Sequence, residues 1–108
     1  MNIDQLTPRA LKGMLDAGAP LWLLDVRQPW EHERARLADH ALIPLDELEA
    51  RLDEVRPPDG ALVIAYCHHG VRSLHAAAIL ARAGVRAASL AGGIDRWSLE
   101  IDPSIARY

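Results

Sequence analysis

The stretch ALVIAYCHHGVRSLHAAAILARA, residues 61–83, decides the fold because its pattern changes twice along its length. Residues 61–66 are apolar or aromatic and predict a strand that is buried on both faces. Residues 74–83 are apolar almost all round and predict a buried helix. The loop between them runs from Cys67 to Ser73 and contains a glycine. A strand, a tight loop and a buried helix form the repeating unit of an α/β sheet.

The sequence on either side alternates in the same way. Thr7 and Pro8 mark the start of a helix that ends near Gly18, and the apolar run 21–26 predicts a second buried strand. The other expected elements are one or two helical turns within 31–37, a short strand 42–44, a helix carrying Leu45, Leu48 and Leu52, a strand 87–90 and a last helix 94–99. We therefore predict one domain, residues 1–108, with a parallel sheet and helices on both faces.

Composition narrows the class of protein. The chain has 108 residues, of which 50% are apolar and 25% charged, and this balance is typical of a globular domain. Its net charge is -3 with no basic face, so nucleic acid is not an expected partner. No apolar run reaches the roughly 20 residues of a membrane span, and the first residues lack a basic, apolar leader. A cytoplasmic protein without a membrane partner is expected.

Cys67 is the candidate nucleophile. Ligands of open parallel sheets bind at the carboxyl ends of the strands, where Cys67 lies. Gly70 permits a loop whose amide N–H groups converge, and the start of the next helix adds positive potential, which together favour a reactive thiolate. Arg72 offers a planar, charged fork that suits an oxyanion. The alternative is an inert cysteine buried at the end of a strand, and the combination of glycine, arginine and helix start weighs against it.

Three segments resemble one known family in content, order and spacing. They are LLDVRQPWE (23–31), YCHHGVRS (66–73) and LAGGIDRW (90–97), and they resemble the rhodanese domain. The resemblance implies a five-stranded parallel sheet flanked by helices and no cofactor. It also implies that Cys67 takes a sulfane sulfur from a small anionic donor, thiosulfate or a related compound, and passes it as a persulfide to cyanide or to a thiol or protein acceptor.

The resemblance also assigns roles within the loop and around it. The amides of the loop are expected to hold the persulfide, with Arg72 as part of the same anion site. The residues of this expected binding site are His68, His69, Gly70, Val71, Arg72 and Ser73. Asp25, Arg27 and Glu31 lie near the same edge of the sheet, and we expect them to brace the loop rather than to react.

Other functions remain open at this point. The same cysteine could serve a sulfur relay as a persulfide carrier with little turnover of small donors. Cysteine-dependent phosphatases related to rhodaneses place five residues between cysteine and arginine, whereas only residues 68–71 intervene here. Many thiol-type arsenate reductases use further cysteines, but Cys67 is the only one, which also excludes an internal disulfide and a multi-cysteine metal cage. An inactive binding module is disfavoured because Cys67 is present.

Several residues depart from the family pattern or carry simpler interpretations. His68 and His69 follow the cysteine where many rhodaneses have arginine. One of them could help to bind an anionic donor when protonated, but the simpler expectation is two exposed loop residues. Since adjacent side chains diverge, no metal site is expected there. The remaining histidines, His32, His40 and His75, are expected to be solvated. Gly92 and Gly93 fit either a close approach of backbones or a simple turn into the last helix. For the tryptophans we expect Trp22 and Trp97 in the core and Trp30 at the mouth of the site or at an acceptor interface.

Overall fold

The computed structural model describes residues 3–108, and its five strands form one parallel sheet. The strands are β1 (Asp4–Leu6), β2 (Leu21–Asp25), β3 (Ala41–Leu42), β4 (Leu62–Tyr66) and β5 (Ala87–Leu90). The helices are α1 (Pro8–Asp16), α2 (Pro29–Arg34), α3 (Leu45–Leu48), α4 (Val71–Arg82) and α5 (Gly93–Glu100), and a 3-10 helix spans Glu49–Glu54. The spatial order of the strands is β1-β5-β4-β2-β3, so β4 lies at the centre.

Alternate side chains of the central strands point to opposite faces of the sheet, and each face packs into its own apolar core. On one face, Val63 and Ala65 of β4 pack with Leu48 of α3 and with Leu80 of α4. On the other face, Ile64 and Tyr66 pack with residues of α1 and α5, among them Leu11, Ile94 and Trp97. Burying both faces explains why β2 and β4 are apolar runs rather than alternating ones. The predicted parallel sheet with helices on both faces is confirmed.

The boundaries differ from the sequence-based ones where polar residues join a helix. The central helix α4 begins at Val71 instead of Leu74, because Gly70 caps it and the polar Arg72 and Ser73 form its first turn. The predicted turns within 31–37 are α2, which begins earlier at Pro29 and ends before the extended Ala35. The expected helix through Leu52 is divided into α3 and the 3-10 helix. The first helix is capped as predicted, since the Thr7 hydroxyl accepts a hydrogen bond from Ala10 N.

Strand β1 is the one strand that the local pattern does not predict. It has three residues, of which Asp4 and Gln5 are exposed, and it lies at the edge of the sheet beside β5. A short, polar edge strand carries no apolar run, so only the family resemblance implied a fifth strand. Within residues 3–108, no helix combines the length and the apolar character needed to cross a membrane.

Candidate active site

Cys67 follows β4 directly, and its side chain is buried with 1% of its surface exposed. Its Sγ accepts hydrogen bonds from Gly70 N at 3.1 Å and from Ser73 N at 3.3 Å. The Ser73 hydroxyl lies 3.4 Å from Sγ and 2.8 Å from the hydroxyl of Ser89 on β5. When the sulfur is negative, Ser89 can donate to Ser73 while Ser73 donates to Sγ. Two amides and a hydroxyl pair are therefore aimed at one sulfur atom.

Gly70 gives the loop its shape. It adopts φ +99°, in the left-handed region, and it is the N-cap of α4. A Cβ at this position would also lie 2.9 Å from the backbone nitrogen of Gly92, so there is no room for a side chain. Because the chain turns here with no side chain in the way, the amides of residues 70 and 73 both reach Sγ.

The turn between β5 and α5 holds the other side of this loop. Ile94 N donates to the Cys67 carbonyl at 2.9 Å, and Asp95 N donates to the His68 carbonyl at 3.1 Å. This contact needs Gly93, because a Cβ there would lie 2.5 Å from the Cys67 carbonyl oxygen and 2.4 Å from that of His68. Both interpretations of the glycine pair are therefore correct, since Gly92 caps α5 and Gly93 allows two backbones to approach closely.

A second polar cluster follows β2 at the same edge of the sheet. Asp25 and Arg27 are fully buried, and the Arg27 guanidinium donates to both Asp25 carboxylate oxygens, at 2.9 and 2.8 Å. Arg27 also donates to the carbonyl of Ala35 at 2.6 Å and to the Tyr108 hydroxyl at 2.8 Å. Burial alone would lower the pKa of Arg27, but the hydrogen bonds to Asp25 and Tyr108 outweigh it and raise that pKa. This pair does not contact Cys67 directly but organises α2.

Glu31 of α2 connects this cluster to the loop after β4. Its carboxylate receives Arg72 in a two-fold contact, with nitrogen–oxygen distances of 2.6 and 2.9 Å. Gln28 N and the Tyr108 hydroxyl donate to the same carboxylate at 3.1 and 2.8 Å. Burial would raise the pKa of Glu31, but these donors lower it to about 2. Of the predicted bracing residues, Glu31 thus contacts the loop, whereas Asp25 and Arg27 act through α2 and Tyr108.

His68, the residue after Cys67, is the middle ring of an aromatic stack. The His68 ring stacks on Tyr108 on one side and on His69 on the other, with centroid distances of 3.9 Å in both cases. Burial and the neighbouring His69 lower the pKa of His68, which favours its neutral form. Its Nε2 is buried and has no hydrogen-bond partner among residues 3–108. The expectation that the two histidine side chains diverge is therefore wrong, and only His69 is exposed as predicted.

Two groups of side chains have the composition of a metal site. His68, His69 and Asp95 bring their ligand atoms within 4.8 Å of one another, and so does a second group of Asp25, His32 and Asp39. In the first group Asp95 already pairs with Arg107, and the histidine rings stack instead of pointing at one centre. In the second group Arg27 occupies both oxygens of Asp25, and the Tyr66 hydroxyl donates to Asp39. Neither arrangement leaves a set of free, converging ligands.

The structure brings most of the predicted site residues together, but only some of them contact the Cys67 sulfur. Among the predicted binding residues, Gly70 and Ser73 donate hydrogen bonds to Sγ. His68 stacks on Tyr108, and Arg72 forms an ion pair with Glu31. Val71 is 66% exposed at the mouth. Its amide and that of Arg72 belong to the first turn of α4, where N–H groups have no partner within the helix.

Ser89 and Tyr108 are site residues that the sequence does not reveal. Ser89 is one serine in an apolar strand, and Tyr108 follows an irregular segment, so no local pattern links either of them to Cys67. His32 is also wrongly expected to be solvated, since its Nδ1 lies 2.9 Å from an oxygen of Asp25. Trp22 and Trp97 are buried as predicted, while Trp30 is 60% exposed and packs edge-on against Tyr108.

Comparison with known proteins agrees with this arrangement. A family model described as the rhodanese-like domain matches residues 7–100. The chain is 35% identical over 104 residues to the probable adenylyltransferase/sulfurtransferase MoeZ of Mycobacterium tuberculosis, covering 95% of this chain and 26% of that protein. It is 30% identical over 105 residues to a sulfurtransferase of Allochromatium vinosum, with 96% of each chain covered.

A solved structure shows the same fold over nearly all of the chain. The crystal structure of a rhodanese-related protein from Thermoplasma volcanium matches with a TM-score of 0.82 at 25% identity, covering 97% of this chain and 99% of that one. The fold thus defines a rhodanese-like α/β domain with a cysteine at the end of its central strand. The chain belongs to the rhodanese-like domain family. It spans about a quarter of the length of its MoeZ relative.

Proposed function

We propose that this chain is a sulfurtransferase in which Cys67 carries a sulfane sulfur as a persulfide. The observation that carries the proposal is the pair of amides, Gly70 N and Ser73 N, that donate to a buried Sγ at the end of the central strand. Donors fixed in advance around a sulfur atom stabilise the thiolate before the reaction and the anion that forms after it.

In the first step the Cys67 thiolate attacks the outer sulfur of a donor such as thiosulfate or a related compound. A bond forms between Sγ and that sulfur, and the sulfur–sulfur bond of the donor breaks. Its electron pair leaves with sulfite, so no external oxidant or reductant is needed. The amides in the first turn of α4, those of Val71 and Arg72, are available to hold the new terminal sulfur.

In the second step cyanide or an acceptor thiolate attacks the terminal sulfur, and Cys67 leaves again as a thiolate. Because the chain has one cysteine, the persulfide cannot be resolved into an internal disulfide. A thiol or protein acceptor is therefore part of the function, and no cofactor is required. The cycle needs a reduced thiol, which favours a reducing compartment such as the cytoplasm.

The placement of Arg72 argues against phosphatase chemistry. In the structure both terminal nitrogens of its guanidinium contact Glu31, so the fork is not open to a phosphoryl group. The spacing of Cys67 and Arg72 also argues against a phosphatase, because four residues separate them instead of five. A persulfide carrier in a relay would use the same steps and differ only in receiving its sulfur from a protein.

Intact mass under non-reducing conditions tests the proposal. The protein is incubated with thiosulfate, weighed, then treated with cyanide and weighed again while thiocyanate is assayed. We expect one added sulfur atom that cyanide removes, with no addition to the Cys67→Ser variant. Repeated turnover would identify an enzyme. Loading only from a persulfidated protein would identify a carrier, and no loading from either source would contradict the persulfide function.

A further inference from the structure

Arg72 lies in the first turn of α4, directly after the loop that follows β4, and its charge is balanced by Glu31. Its two terminal nitrogens lie 2.6 and 2.9 Å from the two oxygens of Glu31. The arginine side chain is 35% exposed, but that of Glu31 is only 4% exposed, so the carboxylate sits on the inner side of the pair. A donor that approaches Cys67 therefore meets a neutralised ion pair instead of a free guanidinium.

Glu31 is built to remain charged. Three different donors, from Arg72, from Gln28 N and from the Tyr108 hydroxyl, converge on its two oxygens. The capping box at the start of α2 fixes the side chain in this position. Rotation of the carboxylate away from Arg72 would break these contacts together, so the neutralisation is a fixed property of the site.

Apart from the amides at the start of α4, the neighbouring side chains add no unbalanced cation. His68 lies between two aromatic rings with no anion in hydrogen-bond contact. His69 is exposed and faces Asp95, with 3.9 Å between Nε2 and the carboxylate, and Asp95 is paired with Arg107. Arg72 and Arg107 are thus each paired with one carboxylate, Glu31 and Asp95 respectively.

We propose that Glu31 is a specificity-determining residue, which by neutralising Arg72 makes the site favour sulfane donors with one negative charge over dianions such as thiosulfate. This inference rests on the proposed persulfide function and names the class of donor. A second negative charge gains nothing from a balanced ion pair, yet it still loses hydration when it approaches a buried sulfur.

Two sulfane donors that react at the same kind of sulfur but differ in charge test this inference. Thiosulfate is a dianion, whereas methanethiosulfonate carries the same outer sulfur on a sulfonyl group but has one charge. The Cys67 thiolate attacks the same sulfur in both, and the leaving group is sulfite in one case and methanesulfinate in the other. Because their intrinsic reactivities differ, the informative quantity is the ratio of kcat/KM for the two donors and its change between variants.

The Glu31→Gln variant removes the charge and keeps a side chain of the same size. We expect the kcat/KM ratio of thiosulfate to methanethiosulfonate to rise about tenfold, because one charge of the donor then meets one unbalanced charge. The rise should disappear at high ionic strength. In the Glu31→Gln, Arg72→Gln double variant both charges are absent, so the ratio should return to the wild-type value. A purely structural role of Glu31 would not produce this pattern.

Tyr108→Phe is the matched control, since it removes a hydrogen bond to Glu31 without changing any charge. Its ratio should stay within about twofold of wild type. The wild-type protein offers a test that needs no variant, because its kcat/KM for thiosulfate should depend only weakly on salt.

Failure would take distinguishable forms. Loading of Cys67 by both donors with an unchanged ratio in Glu31→Gln, or a steep salt dependence of the wild-type protein with thiosulfate, would overturn the inference and leave the persulfide function intact. Absence of loading by any sulfane donor would overturn both.

Discussion

Two loops meet at the same edge of the sheet, and they are held in different ways. The loop after β4, residues 67–70, is fixed by backbone groups, since amides hold the Cys67 sulfur and the start of α5 holds two carbonyls. The loop after β2, residues 26–28, is fixed by buried ions, with Asp25, Arg27 and Glu31 at its centre. The loop after β4 should therefore be sensitive to added side-chain volume, and the loop after β2 to the loss of a charge.

The largest effect is expected from adding one methyl group at Gly93, the residue that packs against the backbone-held loop. In Gly93→Ala the new Cβ would lie within 2.5 Å of two carbonyl oxygens, at a position with φ +63°. We expect the free energy of unfolding to fall by about 4 kcal/mol, from overpacking and from the left-handed conformation. Urea denaturation measures this change.

Gly13→Ala in α1 is the matched control, because its Cβ meets nothing within 4 Å. It should stabilise the protein by about 0.5–1 kcal/mol, since alanine favours helix. Equal stability of Gly93→Ala and wild type would show that the turn before α5 yields easily and that the loop after β4 is not tightly held.

The charge-held loop should respond to acid. The pKa of Glu31 is lowered from 4.5 to about 2, so its contribution is complete above pH 4.5 and is lost as pH falls toward 2. The shift corresponds to about 3 kcal/mol. We expect urea denaturation between pH 5 and pH 2 to show this loss in wild type and not in Glu31→Gln. Parallel curves for the two proteins would refute the role of this carboxylate.

The smallest effect is expected at the hydroxyl pair behind the sulfur. Ser89→Ala removes the partner of the Ser73 hydroxyl and leaves both amides in place. We expect the rate of sulfur loading on Cys67 to fall about fivefold, in line with the loss of one buried hydrogen bond. Ser104→Ala, at an exposed position, serves as control and should load at the wild-type rate. Identical loading rates would mean that the amides alone hold the sulfur.

The comparison also explains how much could be predicted from the sequence. The backbone-held loop is local, because Cys67, Gly70 and Ser73 lie within seven residues, and a strand followed by a glycine and a helix reveals its shape. The position of Cys67 directly after a buried central strand is therefore predicted correctly, while its role as a nucleophile stays a prediction. The position of strand β1 is not predicted, since a short polar edge strand depends on its pairing with β5 and not on its own pattern.

The charge-held loop is less visible in sequence. Asp25, Arg27 and Glu31 are close in the chain, so a brace could be predicted, but its geometry depends on partners far away. Arg72 was expected to face an anionic substrate, and its contact with Glu31 joins residues 41 positions apart. The role of Tyr108 could not be predicted from the sequence, because a single tyrosine in an irregular segment has no pattern. Only the tertiary structure shows that it contacts Arg27 and Glu31.

The contacts of Tyr108 also imply that the loop after β2 is completed later in folding than the loop after β4. The hydrogen bonds to Cys67 span three and six residues, so they can form together with α4. The bonds of Tyr108 to Glu31 and Arg27 close segments of 77 and 81 residues, and contacts of that separation carry a high entropic cost and form late. The hydrogen bonds that hold the sulfur can therefore form before Tyr108 stacks on His68 and closes its contacts with Glu31 and Arg27.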